Sequence, residues 1–353
     1  MRVLMISADR SKRGILFPGT PAFKRQEAYA KEFGDLDIIG FSRKADGAKP
    51  VGERSLHVHP TGSSSPLLYG WGAIRIAKGL PHPDVVTVQD PFETGLVGWW
   101  IARKLKVPLH VQVHTDFLSP EYVKLSFLNR IRVHVASFVL RRAARIRVVS
   151  GRIHDGLETM QHKAPITVLP IFVDVEKFKT AKSFERPYLR YETKVLVVAR
   201  LEPEKNVLLA VRAFARSAPS DACLIIVGEG VTRKKIISDQ LYQSIHDRVF
   251  FIEDEPLPDL YKSVDIVLVP SKYEGYGLVI VEALAAGKPV LSTDVGVARE
   301  AGAIVTTEKK FADALAEWFK SGPRTGELKN YPYKNFEDYV RMYCEDISAC
   351  AKR

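Results

Sequence analysis

Short runs of β-branched and other apolar residues recur along the chain: RVLMIS, DIIGF, LHVHP, VVTVQ, LHVQVH, RIRVVS and ITVLP. Between them lie segments such as KRQEAYAKEF and TGLVGWWIARKLK, whose apolar positions return at helical spacing. Near-continuous apolar runs alternating with amphipathic helices predict βαβ units and a parallel sheet covered on both faces. The polar, patternless stretch PIFVDVEKFKTAKSFERPYLRYETK interrupts the alternation, which restarts with KVLVVAR, CLIIVG, RVFFIE, DIVLVP and PVLSTD. Two α/β domains follow, with parallel sheets expected to face each other across a cleft. In open parallel sheets ligands bind beyond the carboxyl ends of the strands, so the residues directly after each strand are the candidates for chemistry.

A length of 353 residues fits this division, since one core seldom serves so long a chain. The composition, 46% hydrophobic and 26% charged, is that of a globular protein and excludes a disordered chain. Cys223, Cys344 and Cys350 have neither paired nor metal-like spacing, which points to a reducing compartment and away from a disulfide or zinc framework. The opening MRVLMISADR reads as a buried strand rather than a signal peptide, and no apolar run is long enough to span a membrane, so a cytoplasmic location is expected. The net charge of +11 is uneven: residues 1–179 hold 27 Lys and Arg against 16 Asp and Glu, and residues 180–353 hold 25 of each sign. A basic half beside a neutral half implies an anionic partner for the first domain: nucleic acid, lipid headgroups or a phosphorylated substrate.

The stretch SKYEGYGLVIVEALAAGKPV holds two carboxylates, Glu274 in a turn after a strand and Glu282 about two turns into a helix that Gly287 ends. Eight helical residues advance roughly 12 Å, which suits two ends of one long ligand better than two groups on one bond. Gly275, Gly277 and the unpaired amides of the helix start, around Leu278, offer a phosphate site between them. Arg200 ends the first strand of the second domain and Lys205 precedes the next helix; two cations there offset the charge of a diphosphate as it leaves. IIVGEG, with Gly228, is a glycine turn that allows close approach to a nucleotide. In the first domain Gly19 precedes Thr20 as N-cap and Pro21 as first helical residue. Asp90, His114 and Asp116 follow strands and are placed to hold an acceptor hydroxyl or a sugar.

With these residues assembled, the chain resembles the retaining GT-B glycosyltransferases, and most closely glycosyltransferase family 4. The resemblance covers nearly the whole length and rests on the E-x7-E motif, Glu274 and Glu282 within EGYGLVIVEALAAGKPV, joined by ARLEPEKN in the place of G-R-L-x-x-x-K-N. It implies two Rossmann-like domains: residues 1–172 with a returning helix at 335–353, and a donor-binding domain at 173–334. By the same resemblance Arg200 and Lys205 grip the donor diphosphate, Glu282 binds the ribose and Glu274 holds the donor sugar. Gly19, Gly228, Gly277 and Leu278 complete the donor site, and His114 lies near the transferred sugar. The expected substrate is a UDP- or GDP-sugar, with no metal and no other cofactor. The expected reaction is hexose transfer with retention, the acceptor attacking on the face the diphosphate leaves. The chain departs from the family in having single glycines at Gly19 and Gly296, where pairs are common, and Tyr276 for the usual Phe.

The basic segment LSPEYVKLSFLNRIRVHVASFVLRRAARIR combines Arg130, Arg132, Arg141, Arg142 and Arg145 with Phe127, Ile131, Val135, Phe138 and Val139. It is expected to form a basic amphipathic helix lying on an anionic membrane, placing the protein peripherally on the inner face of the cell membrane with a saccharide or lipid-linked acceptor. A nucleotide-sugar 2-epimerase of the same fold is the alternative. A nucleic-acid binder has only the charge in its favour, and the DLD triplet at 35–37 opens a strand rather than a metal site.

Overall fold

The computed structural model describes residues 1–183, 190–253 and 255–351. Residues 1–170 and 333–353 form one compact unit and residues 171–332 a second.

The first unit contains β1 (Arg2–Ser7), α1 (Pro21–Phe33), β2 (Asp35–Gly40), β3 (Val51–Glu53), β4 (Leu56–Pro60), α2 (Tyr69–Gly79), β5 (Val85–Val88), α3 (Glu93–Leu105) and β6 (Leu109–Val113). It continues with α4 (Pro120–Leu125), α5 (Phe127–Leu140), β7 (Arg145–Val148), α6 (Gly151–Glu158) and β8 (Ile166–Val168). The eight strands follow the order β3-β4-β2-β1-β5-β6-β7-β8, parallel throughout except for β3 against β4. Every residue of β5 and β6 is buried, as strands covered on both faces require. Thr20 caps α1 by accepting the Phe23 amide at 3.1 Å, and Pro21 is the first helical residue. The DLD carboxylates are used inside the sheet: Asp35 pairs with Arg2, and Asp37 meets His59 Nε2 at 2.8 Å.

The second unit holds α7 (Val175–Thr180), β9 (Thr193–Val198), α8 (Val207–Ser217), β10 (Ala222–Val227), α9 (Arg233–Ile237), α10 (Gln240–Gln243), β11 (Val249–Ile252), α11 (Leu257–Lys262) and β12 (Ile266–Val269). It continues with α12 (Leu278–Ala285), β13 (Val290–Thr293), α13 (Ala298–Ala301), β14 (Ile304–Thr306) and α14 (Phe311–Ser321). Its six strands run parallel in the order β11-β10-β9-β12-β13-β14. The core packs β9, β10 and β12 against α8 and α14, with Phe214, Phe311 and Trp318 almost wholly buried. Among the parallel strands the order of each sheet reverses once, between β1 and β5 and between β9 and β12. The loops after those four strands are therefore where a ligand crevice forms.

The last helix, α15 (Phe336–Ala351), belongs to the first unit and packs against α1 and the β5–β7 part of the sheet. His110 on β6 is fully buried, and its Nε2 lies 3.0 Å from Asp346 on α15. Arg145 donates to the other Asp346 oxygen.

The basic segment departs from the expectation of one amphipathic helix. Ser126 is extended (φ −159°, ψ 156°) and caps a new helix by accepting the Asn129 amide at 3.1 Å, so α4 and α5 are separate. α5 ends at Leu140, and Arg145 lies in β7.

Candidate functional site

The reversal point of the second sheet gathers the sequence-predicted donor residues. Arg200 lies two residues beyond β9 and Lys205 closes a short helical turn, Pro203–Lys205, ahead of α8. Lys205 Nζ reaches Glu274 Oε1 at 2.6 Å, and Ser271 Oγ donates to the same oxygen at 2.8 Å. The carbonyl of Ser271 in turn accepts the Thr293 hydroxyl. Both side chains of the ion pair are mostly buried, at 19% and 15% exposure, so Glu274 is fixed by its neighbours before any ligand arrives. Arg200 differs: its side chain is 72% exposed, with Glu204 Oε1 3.3 Å away. An exposed cation together with one fixed by its partners is chemically suited to binding an anion.

Glu282 occupies the fifth position of α12, just over one turn in rather than two. Burial raises its pKa, opposed by the Tyr261 hydroxyl, which donates to Oε2 at 2.9 Å, and by Lys177. The structure thus brings Lys205 and Glu274 together and holds Glu282 by a different set of partners. Ser271, Thr293 and Tyr261 escaped the sequence reading. Ser271 stands two residues past the end of β12, which was signal enough to include it; Tyr261, from α11, carried none.

The glycines serve backbone geometry. Gly277 opens α12 at φ +94°, without a side-chain cap, and Leu278 after it is exposed. Gly228 has φ +124°, and a Cβ there would stand 2.2 Å from the Ala199 carbonyl oxygen, so its lack of a side chain lets the loop after β10 lie on the loop carrying Arg200. Leu201 N donates to Glu229 O at 2.7 Å across the same contact. This packing accounts for Gly228 without a nucleotide. A Cβ on Gly296 would be 2.2 Å from Tyr276 O, so the loop after β13 presses on the E-x7-E turn in the same way.

In the first unit Gly19 (φ +81°) ends the loop from β1, with open space where a Cβ would point. His114 follows β6, with Nε2 3.4 Å from Gln112 Oε1. Part of its surface reaches solvent, yet desolvation by the surrounding protein, with the charges of Arg147 and Arg25, pushes its pKa down to about 3 and keeps it neutral. Asp90 is committed locally: one oxygen accepts the Phe92 amide at 2.8 Å and the other the Thr94 hydroxyl at 2.7 Å, fixing the start of α3. Burial raises its pKa against those bonds. Asp116 is raised by burial as well, with Arg152 opposing. Arg147, which the sequence reading passed over, is 2% exposed and donates to Gln112 Oε1, Leu169 O and Pro170 O, with its guanidinium 5.0 Å from the Tyr343 ring centre.

Four of the five arginines expected on the amphipathic helix are engaged with the protein, Arg145 through Asp346. Arg132 pairs with Glu93 at 2.7 Å, Arg141 donates to Ser137 O and Oγ, and Arg142 donates to Phe138 O. Arg130 is exposed, beside exposed Phe127, Leu128 and Ile131.

Comparison with known proteins matches residues 27–177 to Glycosyltransferase Family 4 and residues 180–335 to Glycosyl transferases group 1. The chain is 27% identical over 244 residues to alpha-monoglucosyldiacylglycerol synthase of Streptococcus pneumoniae, covering 62% of this chain and 54% of that protein. It is 31% identical over 225 residues to D-inositol 3-phosphate glycosyltransferase of Segniliparus rotundus, covering 58% of this chain and 49% of that one. The chain thus spans about half the length of these two relatives. Anabaena HepE in complex with UDP superposes with a TM-score of 0.67 at 19% identity, over 100% of this chain and 98% of the other. Sucrose-phosphate synthase from Thermosynechococcus elongatus gives 0.72 at 17% identity, over 100% and 97%. The fold is accordingly GT-B, with two parallel-sheet Rossmann-like units. On its two family matches, which together take in most of its length, the chain belongs to the group 1, family 4 glycosyltransferases.

Proposed function

We propose that the chain transfers a hexose from a nucleoside-diphosphate sugar to a saccharide or lipid-linked acceptor, with retention of configuration and without a metal ion. The observation that carries this reading is the Lys205–Glu274 pair, held by Ser271 at the reversal point of the second sheet with exposed Arg200 beside it. The bond between the anomeric carbon and the diphosphate oxygen breaks, the acceptor oxygen bonds to that carbon on the same face, and the acceptor proton passes to the departing phosphate oxygen. Arg200 and Lys205 offset the charge that develops on the diphosphate. Glu274 accepts hydrogen bonds from the sugar hydroxyls and Glu282 from the ribose, as paired acceptor oxygens do well. Neutral His114 serves the transferred sugar as a hydrogen-bond partner rather than as a cation. The UDP complex of HepE supports a uridine donor, and the names of the relatives support lipid, inositol phosphate and glycan acceptors. The basic first unit supports peripheral attachment to an anionic membrane on the cytoplasmic side; among the described residues no helix is long and apolar enough to cross one.

Radiolabelled UDP-glucose and GDP-mannose, incubated with and without a panel of diacylglycerol, inositol phosphate and oligosaccharide acceptors, test the reaction. Acceptor-dependent sugar transfer is expected; a new epimer without acceptor identifies the 2-epimerase instead. Glu274→Ala is expected to lower kcat by about 100-fold or more. Because it frees Lys205 from its partner, the same variant keeps or tightens affinity for the nucleoside diphosphate. A variant that retains most of its kcat removes Glu274 from the mechanism.

A further inference from the structure

The helices α2 and α3 lie side by side on the first unit's sheet. They approach closely near their starts, where a Cβ on Gly70 would stand 3.1 Å from Val97 Cγ2. Toward their ends they leave a crevice of about 250 Å³, lined by Ile74, Ala77, Lys78, Trp100, Ile101, Lys104 and Leu105. Its wall is apolar apart from the two ammonium groups. Roughly 150 Å³ of apolar cavity is enough to take up a benzene-sized solute, so this one has room for more than a ring.

Its two helices carry almost only positive charge. α2 carries Arg75 and Lys78 and no acid, and the single acid of α3, Glu93, is bound to Arg132. Lys104 Nζ sits 5.7 Å from the centre of the Trp100 ring, and among the described residues neither lysine meets a carboxylate within ion-pair distance. The mouth of the crevice is therefore matched to an anion and its interior to hydrocarbon.

We propose that this crevice binds one alkyl chain of an anionic amphiphile, the chain lying against Ile74, Ala77, Ile101 and Leu105 and the anionic head meeting Lys78 and Lys104. A free long-chain carboxylate and an anionic bilayer lipid share this chemistry. The crevice belongs to the first unit and shares no residue with the proposed donor site, so it stands or falls separately from the transferase reading.

Trp100 reports on occupancy. Titration with ω-brominated dodecanoate below its micelle concentration is expected to quench Trp100 fluorescence saturably, at one molecule per chain, and Trp100→Phe is expected to remove the quench. Ala77→Phe fills the crevice and abolishes binding. Lys78→Glu combined with Lys104→Glu alters only exposed side chains and is expected to weaken binding by about tenfold or more, while binding of uncharged dodecanol stays unchanged. A parent-like circular dichroism spectrum and parent-like urea unfolding of the first unit confirm that each variant is folded. Quenching that does not saturate, or that survives both Ala77→Phe and the double charge reversal, overturns the proposal. Flotation with phosphatidylglycerol vesicles identifies the source: loss of vesicle binding in Ala77→Phe assigns the chain to a bilayer lipid, and unchanged vesicle behaviour beside lost dodecanoate binding assigns it to a free carboxylate.

Discussion

In Glu282 the burial of the side chain opposes the charged ribose contact proposed for it. Burial raises its carboxyl pKa, so ionising it in the folded chain costs stability that a free glutamate would not lose. A raised acid contributes most below its unfolded value of about 4.3 and destabilises as pH rises through its folded value. Glu282→Gln keeps an acceptor for the Tyr261 hydroxyl and removes the charge. It is expected to melt above the parent at pH 7, with the difference closing toward pH 4, while affinity for UDP is expected to fall about tenfold if the proposed ribose contact is made; thermal melts across pH and calorimetry check the two halves. Glu274 and Glu282 were legible because their spacing is written in the chain. Of the partners that set their properties, Ser271 lies three residues from Glu274 and within reach of local pattern, whereas Tyr261 reaches Glu282 from another helix through a fold that local pattern does not encode.

Helix α15 shows how an element far along the chain completes a distant sheet. Asp346 would be raised by burial, but hydrogen bonds from His110, Arg145 and Thr167 carry its pKa down to about 2. Burial keeps His110 neutral, so its Nε2–H donates to Asp346 and its Nδ1 accepts the Thr87 hydroxyl. Removing the carboxylate leaves these donors unsatisfied. Asp346→Ala is expected to cost about 3 kcal/mol at pH 7, read from urea unfolding of the first unit. A depressed acid contributes stability above about pH 4 that is lost as pH falls toward 2, so the deficit shrinks in that range. The strands and the Thr20–Pro21 helix start could be read from the sequence because burial on two faces and capping chemistry are local. The break at Ser126 could not: the apolar spacing of LSFLNRIRVHV runs through it, and the serine ends one helix by capping the next.

The whole molecule is electrostatically divided. The first unit holds 29 Lys and Arg against 18 Asp and Glu, and the second 23 of each, so the entire +11 belongs to the unit carrying α2, α3 and α5. Flotation with anionic vesicles at low salt is expected to capture the chain and to fall steeply as salt shortens the screening length toward ~8 Å at physiological strength. Retention at high salt would show that apolar contacts dominate instead. The second unit, with no net charge, attracts a dianionic ligand only through placed cations, and this makes Arg200 and Lys205 testable without knowing the acceptor. Calorimetric titration of UDP and GDP into the parent and into Arg200→Ala and Lys205→Ala is the most direct test. One nucleotide should bind the parent one-to-one and each variant about tenfold or more weakly, as expected for losing a charge-assisted contact. Equal affinity in all three proteins, or no binding of either nucleotide to the parent, would contradict the account.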